Sequence, residues 1–306
     1  MTTTMNLSRT DLAVETAEAL PTGRDMFAPG TGVTKSECLL CGCPVTRIHV
    51  HTPAGARAIG KPEGRYITID LRPALSRQEA LTGRAALCLC RELRALLPPP
   101  SDGPALVVGL GNDAMTPDAV GAAALEHLLV TRHMVRSMPR QFGALTPVAA
   151  LATGVLARTG VETLELIRGA ADRLHPSVVI AIDALAARGW SSRHSATASL
   201  AARSRHRLCA TVQLGDTGLI PGSGVGNHRK AVNARTLGVP VIALGVPTVI
   251  DGAALCGDED APPSGLFVTP QDIDRRVREL GRLIGYGVTL ALQPGLTPED
   301  AAALLG

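Results

Sequence analysis

Four largely apolar runs constrain the fold more strongly than any other feature of this 306-residue chain. They cover residues 105–110, 178–183, 210–214 and 239–245. Strands that are buried on both faces of a parallel sheet carry such continuous runs, whereas half-exposed strands alternate. Helical patterns lie between the runs, notably over residues 160–174. This alternation predicts an α/β layered domain with a largely parallel or mixed central sheet flanked by helices.

The first third of the chain has a different pattern. Short alternating runs such as Val45–Val50 predict a smaller N-terminal strand-rich subdomain within residues 36–75. Residues 76–97 predict a helix that opens at Ser76 and ends before three consecutive prolines. We therefore expect an N-terminal arm and small sheet up to residue 100, packed on a main domain of residues 101–306 or continuous with it.

Composition excludes several classes of protein. Aromatic residues make up only 2% of the chain, so the core must be built from Ala, Val, Leu and Ile. The net charge is +3, and no Lys/Arg stripe with interleaved aromatics indicates direct nucleic-acid binding. No signal peptide and no membrane-spanning run is evident, which predicts a cytoplasmic protein with no membrane partner. The seven cysteines are then expected to be mostly free thiols.

Two aspartates, Asp118 and Asp183, are the candidate catalytic residues. Asp183 ends an apolar run, and Asp118 lies in the first turn of a predicted helix that extends to about His133, with Thr116 as its N-cap and Pro117 at its first helical position. Ligand crevices of α/β sheets form at the carboxyl ends of the strands, where both side chains would lie if the strands are parallel. Two such carboxylates can divide the roles of acid and base. From spacing alone, the preferred interpretation is structural: Asp118 caps a helix and Asp183 fixes a turn.

A glycine-rich loop follows the third apolar run and is the second candidate site. Glycines allow backbone N–H groups to line an anion or oxyanion site, although a structural tight turn gives the same pattern. The loop has no Walker sequence. The candidate residues for substrate or oxyanion binding are Asp216, Gly222, Ser223, Gly224, Gly226, Asn227, Arg229 and Lys230.

A cysteine cluster, Cys38, Cys41 and Cys43, precedes His49 and His51. It contains only half of a usual zinc-ligand pattern, because no second cysteine pair follows at normal distance. Free thiols are the preferred interpretation. We predict no cofactor and no metal ligands, with a metal left open.

The order of the motifs in this chain resembles that of the germination protease family. The matching segments run from residue 9 to residue 251, and the 216–230 loop together with Gly245–Val249 is the most specific of them. The other segments are Arg9–Glu15, Gly109–Asn112, Thr116–Ala119, Thr159–Thr163, Ile180–Arg188 and Leu237–Asp251.

This resemblance implies an endopeptidase made as a zymogen, usually tetrameric, that initiates degradation of small acid-soluble spore proteins in the spore core during germination. It implies that Asp118 and Asp183 are essential, and that the enzyme cuts after Glu or Asp, before an apolar residue followed by Ala. The Asp11–Leu12 bond fits that rule, so residues 1–11 are expected to be a propeptide. The family fold is α/β and resembles that of hydrogenase-maturation proteases. The alternatives are a metal-dependent peptidase using the same aspartates and an impaired relative that acts as a binding protein.

The chain departs from the family pattern near the proposed site. Residues 185–188 recur as residues 200–203, which indicates a 15-residue tandem duplication in a surface loop. Ala198 stands where a second Asp183 would recur, so only the first copy supplies the acid. Arg158 occupies a position where the resemblance leads us to expect Gln. These departures leave the substrate detail open.

Overall fold

The computed structural model describes residues 27–28, 30–76, 83–187, 207–223, 229–252 and 265–305. Within these ranges a single mixed sheet has the strand order β1-β2-β3-β7-β8-β6-β4-β5, and β9 pairs with β8. The strands are β1 (Val33–Leu40), β2 (Cys43–Val50), β3 (Gly64–Asp70), β4 (Ala105–Leu110), β5 (Val148–Gly154), β6 (Val178–Ala187), β7 (Thr211–Gly215), β8 (Val241–Asp251) and β9 (Phe267–Val268).

Helices cover both faces of this sheet. The longer ones among the described residues are α3 and α10, and the 3₁₀ helix Thr116–Asp118 matters for the site. The α-helices are α1 (Pro53–Ile59), α2 (Arg72–Ser76), α3 (Arg84–Leu96), α4 (Val120–Glu126), α5 (Arg132–Ser137), α6 (Pro139–Phe142), α7 (Leu156–Thr159), α8 (Thr163–Leu174), α9 (Ala234–Leu237), α10 (Ile273–Leu292) and α11 (Pro298–Leu305).

The predicted mixed α/β sheet flanked by helices is confirmed. Strands β5, β4, β6 and β8 run parallel to one another, and β4 has the predicted bounds. Strand β6 continues four residues beyond Asp183 to Ala187. Asp183 therefore lies within a paired strand rather than at its last residue, and it pairs with Gly245 of β8.

The other half of the sheet is antiparallel. Strand β7 pairs antiparallel with both β8 and β3, and β2 and β1 continue the alternation. The N-terminal strands thus extend the central sheet through the β3–β7 pairing. A division of the chain at residue 100 stays a prediction.

Two hydrophobic layers enclose the parallel strands. Ile180 and Ile182 of β6 belong to the larger core cluster, which includes buried residues of α3, α4 and α10. Val179 and Ala181 belong to a second cluster with Leu164 and other residues of α8. Because side chains alternate along a strand, Asp183 projects on the α8 side of the sheet.

The predicted helix from Thr116 to about His133 is wrong in its length and its cap. The chain instead forms the 3₁₀ helix, then α4, and a separate α5 beginning at Arg132. Thr116 is the first residue of the 3₁₀ helix and does not cap it. Between α4 and α5, the Leu129 N–H donates to Oγ1 of Thr289 at 3.0 Å. This contact with α10 holds the backbone outside the helical ladder, which local sequence signals do not reveal.

The helix predicted over residues 76–97 begins later than expected. Ser76 is the last residue of α2, and α3 begins at Arg84. Residues 77–82 lie outside the described ranges. The predicted end is confirmed, because α3 stops at Leu96, two residues before Pro98.

Helix α4 packs unusually close to the ends of β4 and β6. A Cβ atom at Gly121 would lie 2.7 Å from the carbonyl oxygen of Ile182, and closer still to backbone atoms of Leu110. Any larger side chain would therefore push the helix off the sheet. Since the 3₁₀ helix leads directly into α4, this contact also fixes the height of Asp118 above the sheet.

We predict opposite effects for two Gly→Ala substitutions. Gly121→Ala should destabilise the protein by about 1–3 kcal/mol, since the new methyl group meets backbone atoms that cannot move independently. Gly169→Ala in α8 meets nothing within 4 Å and should stabilise by up to about 1 kcal/mol. Urea unfolding at neutral pH measures both effects. Equal effects of the two substitutions would contradict the close packing of α4.

Candidate active site

Asp183 occupies the middle of the sheet at the carboxyl end of the parallel strands. Its residue surface is 5% exposed. The Ala184 N–H donates to Oδ1 of Asp183 at 2.9 Å, which fixes the carboxylate against its own strand. Burying a carboxylate this deeply costs free energy unless hydrogen bonds or opposite charges compensate for its lost hydration. Because Asp183 is buried within strand β6, fixing a turn does not explain its position.

Asp118 is held by the turn that follows β4. Its Oδ2 accepts a hydrogen bond from the backbone N–H of Asn112 at 2.7 Å. Gly111 has a φ of +96°, and a Cβ atom there would collide with the carbonyl oxygen of Asp118. The glycine therefore lets the turn fold back over the 3₁₀ helix. The conformation of the turn, and not a helix cap, sets the position of the carboxylate.

Electrostatics distinguishes Asp118 from an ordinary surface acid. Burial raises the pKa of its carboxyl above the usual value, and the hydrogen bond from the Asn112 N–H opposes that rise. Desolvation destabilises the charged form, whereas a donor to the carboxylate stabilises it. A raised pKa keeps this carboxyl protonated at a higher pH than an exposed aspartate, so the group is more available as a general acid.

The fold brings Asp118 and Asp183 to the same edge of the sheet. Strand register pairs Gly109 with Ile182, so the carboxyl ends of β4 and β6 lie side by side. The 3₁₀ helix that carries Asp118 lies beside β6 and β8. Gly121, at the start of α4, meets the Ile182 carbonyl. The edge predicted from the sequence is therefore the one that the two aspartates share.

Asp216 lies elsewhere and has a structural role. Its Oδ1 accepts from the Arg65 backbone N–H, and its Oδ2 accepts from Arg65 Nε, both at 2.7 Å. It directly follows Gly215, which pairs with Ala243 toward the amino ends of the parallel strands. The structure does not bring Asp216 together with the two carboxylates. Instead, the ion pair ties the end of β7 to β3.

The rest of the loop returns along the α8 side of the sheet. Leu219 and Val232 exchange backbone hydrogen bonds at 3.0 and 2.8 Å, which close the base of the loop. Gly222 adopts a φ of +68°, and the backbone N–H of Ser223 donates to the Ile220 carbonyl at 3.2 Å. These contacts describe a tight turn, which was the alternative interpretation of the glycine pattern.

Arg229 and Lys230 contact the start of α8. Nη1 of Arg229 lies 3.9 Å from Oε2 of Glu162, and Nζ of Lys230 lies 3.3 Å from Oε1 of Glu165. Helix α8 follows β5 through α7, so its first turn lies at the carboxyl edge of the parallel strands. Both cations therefore lie on the site's side of the sheet, where they secure the loop to α8.

Several predicted residues lie outside the described ranges. They include the loop residues Gly224, Gly226 and Asn227 and the proposed cleavage residues Asp11 and Leu12. The repeated segment 200–203 and Ala198 also lie outside them.

The cysteine and histidine residues of the N-terminal strands lie at opposite ends of β2. Cys43 pairs with Leu40 at the hairpin turn, whereas His49 pairs with Thr34. His49 lies six positions further along the strand than Cys43, roughly 20 Å away. Cys43 instead contacts Cys88 of α3. The hydrogen bond between the two thiols, together with burial, raises the pKa of Cys88.

The described ranges contain neither a metal-binding group nor a disulfide bond. There, no three His, Cys, Asp or Glu side chains converge as a metal-binding group. The cysteines within those ranges are free thiols. No helix in the same ranges is long and apolar enough to cross a membrane.

One residue at the site was not recognised as functional from the sequence. Arg158 of α7 donates from Nη1 to Oδ1 of Asn112 at 3.2 Å and forms an ion pair with Asp113. The position of Arg158 could not be inferred because strand β5 was not predicted. The Ala-rich sequence of this strand lacks the pattern typical of strands. Once Val148–Gly154 is assigned as a parallel strand, Arg158 falls at the same edge as Asp118.

A concavity of about 390 Å³ lies away from both aspartates, between the end of α8 and the start of β8. It contains a single carboxylate, and its lining is Ala171, Asp172, His175, Pro176, Leu237 and Val239. We assign the candidate site from the chemistry of the side chains at the sheet edge rather than from this concavity.

Asp118→Asn should stabilise the folded protein at neutral pH. The folded-state pKa of Asp118 is raised, so the folded protein keeps this proton over a pH range in which the unfolded chain has released it. The free energy of unfolding therefore falls as pH rises through that range. Asparagine cannot ionise, so the substitution removes this decrease in stability. The gain in Tm should be larger at pH 7 than near pH 3. Asp102→Asn, in an exposed loop before β4, is the control. A gain that is independent of pH would contradict the raised pKa.

Comparisons with known proteins identify the family of this chain. Residues 11–260 match the family model described as germination protease. A germination protease from Caldanaerobacter subterraneus subsp. tengcongensis is 35% identical over 97% of this chain and 98% of its own length. One from Clostridium perfringens is 34% identical over 95% and 97%. One from Bacillus subtilis is 40% identical over 96% and 76%.

Among solved structures, the [NiFe] hydrogenase maturation protease HycI from Thermococcus kodakarensis is 16% identical. It has a TM-score of 0.34, over 64% of this chain and 98% of its own. From the match over residues 11–260 and the full-length relatives, the chain belongs to the germination protease family and is a protease.

Proposed function

We propose that this protein is an endopeptidase that initiates degradation of small acid-soluble spore proteins in the spore core, with Asp118 and Asp183 as its acid–base pair. The observation that carries the proposal is the placement of both carboxylates at one sheet edge. One carboxylate takes a proton from the attacking water, and the other protonates the leaving nitrogen. Asp118 suits the second role, because burial raises the pKa of its carboxyl.

The substrate rule comes from the family resemblance. In this rule, cleavage follows Glu or Asp and precedes an apolar residue that is followed by Ala. The sequence Asp11-Leu12-Ala13 satisfies it within the chain itself. We propose on this basis that the protein is made as a zymogen, removes residues 1–11 by its own activity, and works as a homotetramer.

Replacing either catalytic carboxylate should abolish most of the activity. Asp118→Asn and Asp183→Asn each keep the shape of the side chain but remove its acid–base function, so each should lower kcat/KM by about 10²–10⁴-fold. The assay is cleavage of a peptide that contains Glu-Phe-Ala, followed by chromatography. Asp102→Asn should cleave at the parent rate. If both site variants cleave at the parent rate as well, the acid–base pair is wrong.

A metal-dependent mechanism that uses the same aspartates predicts a different response. Prolonged dialysis against a chelator would remove its activity, and added divalent metal would restore it. The acid–base mechanism predicts parent activity after the same dialysis.

Self-processing should be visible as a loss of mass. Incubation of the purified protein at mildly acidic pH should release residues 1–11 and leave a chain beginning at Leu12, as measured by intact mass spectrometry. Asp11→Ala should block the cut, because the acidic residue before the bond is gone. The Asp183→Asn variant should also stay intact. Release of the segment from that variant would show that another protease performs the cut.

A further inference from the structure

Arg158 presents unused hydrogen-bond donors next to the catalytic turn. Its side chain is 52% exposed, and only Nη1 has partners among the described residues, namely Asn112 and Asp113. Nε and Nη2 have none in that part of the chain. These two nitrogens form one edge of the planar guanidinium, which matches the two oxygens of a carboxylate.

The guanidinium is linked to Asp118 through a single residue. Oδ1 of Asn112 accepts from Arg158 and from the Ala114 N–H, and the Asn112 N–H donates to Asp118. The turn that positions the catalytic carboxylate therefore also positions the guanidinium. A peptide whose scissile bond lies at Asp118 places its neighbouring side chains close to Arg158.

Among the described cations on this side of the sheet, Arg229 is less available, because its side chain is 29% exposed and faces Glu162, which is 16% exposed. Lys230 is as exposed as Arg158 and contacts the exposed Glu165, but its ammonium lacks the planar fork of a guanidinium. Asp113, the partner of Arg158, is 64% exposed on an open turn. Ion pairs between such exposed groups contribute little, so a substrate carboxylate can compete for the guanidinium.

We propose that Arg158 strengthens the preference for an acidic residue before the scissile bond by binding the side chain of that residue. The inference rests on the proposed peptidase function and adds a residue that contacts the acid. Asp113 acts as an internal competitor that occupies one side of the guanidinium when no substrate is bound. Arg158 stands where the family resemblance implies Gln, so this charged contact adds to an acid rule that the family follows without it.

The test compares two peptides that differ only by Glu or Gln before the scissile bond. Arg158→Gln should lower the Glu/Gln ratio of kcat/KM by about 10- to 100-fold, because a charge-assisted pair is lost, and should leave cleavage of the Gln peptide nearly unchanged. Arg158→Lys keeps the positive charge but loses the paired donors of the guanidinium, so it should give an intermediate Glu/Gln ratio of kcat/KM. Asp113→Asn should raise the ratio. Arg173→Gln, at the far end of α8, is the matched control and should keep the parent ratio.

Binding separates this inference from the proposed function. In the Asp183→Asn background, fluorescence anisotropy should show tighter binding of the Glu peptide than of the Gln peptide, and Arg158→Gln should reduce this difference. If the parent cleaves neither peptide but this difference in binding persists, the peptidase proposal fails while Arg158 recognition stands. An unchanged Glu/Gln ratio in Arg158→Gln, with parent-like Tm, overturns the inference.

Discussion

The close approach of α4 to the ends of β4 and β6 is the constraint on which the site depends. Only glycine at position 121 lets the helix rest on the Ile182 and Leu110 backbone. That contact places the preceding 3₁₀ helix at the sheet edge and brings Asp118 to the end of the strand that carries Asp183. Gly121 thus sets the relative position of the two carboxylates because it has no side chain. The low aromatic content of the chain is consistent with such close packing.

Sequence reasoning predicted the elements whose signals are local. The continuous apolar runs gave β4, and the three prolines marked the end of α3 correctly. Strand β5 escaped notice because an Ala-rich edge strand has no distinctive periodicity. The direction of β7 is a tertiary property, set by its pairing with β3 and β8. The helix after Thr116 was predicted too long because its interruption depends on a hydrogen bond to Thr289 of α10.

The candidate site was predictable to a similar extent. The carboxyl ends of the parallel strands were enough to place Asp118, which follows β4, and Asp183, which lies in β6, at one edge. The role of Asp216 was not predictable, because its partner Arg65 is 151 residues away in sequence. Arg158 was noted as a departure from the family pattern, but its contact with Asn112 becomes apparent only once β5 is in place.

The central claim is that Asp118 and Asp183 act together as one catalytic unit. The most direct test is the Asp118→Asn/Asp183→Asn double variant, compared with each single variant in kcat/KM for the Glu-Phe-Ala peptide. Residues that act as a unit show strongly non-additive losses. The account predicts that the double variant is no more than a few-fold slower than the slower single variant. If the loss of kcat/KM in the double variant equals the product of the losses in the two single variants, the two aspartates contribute independently and the claim is contradicted.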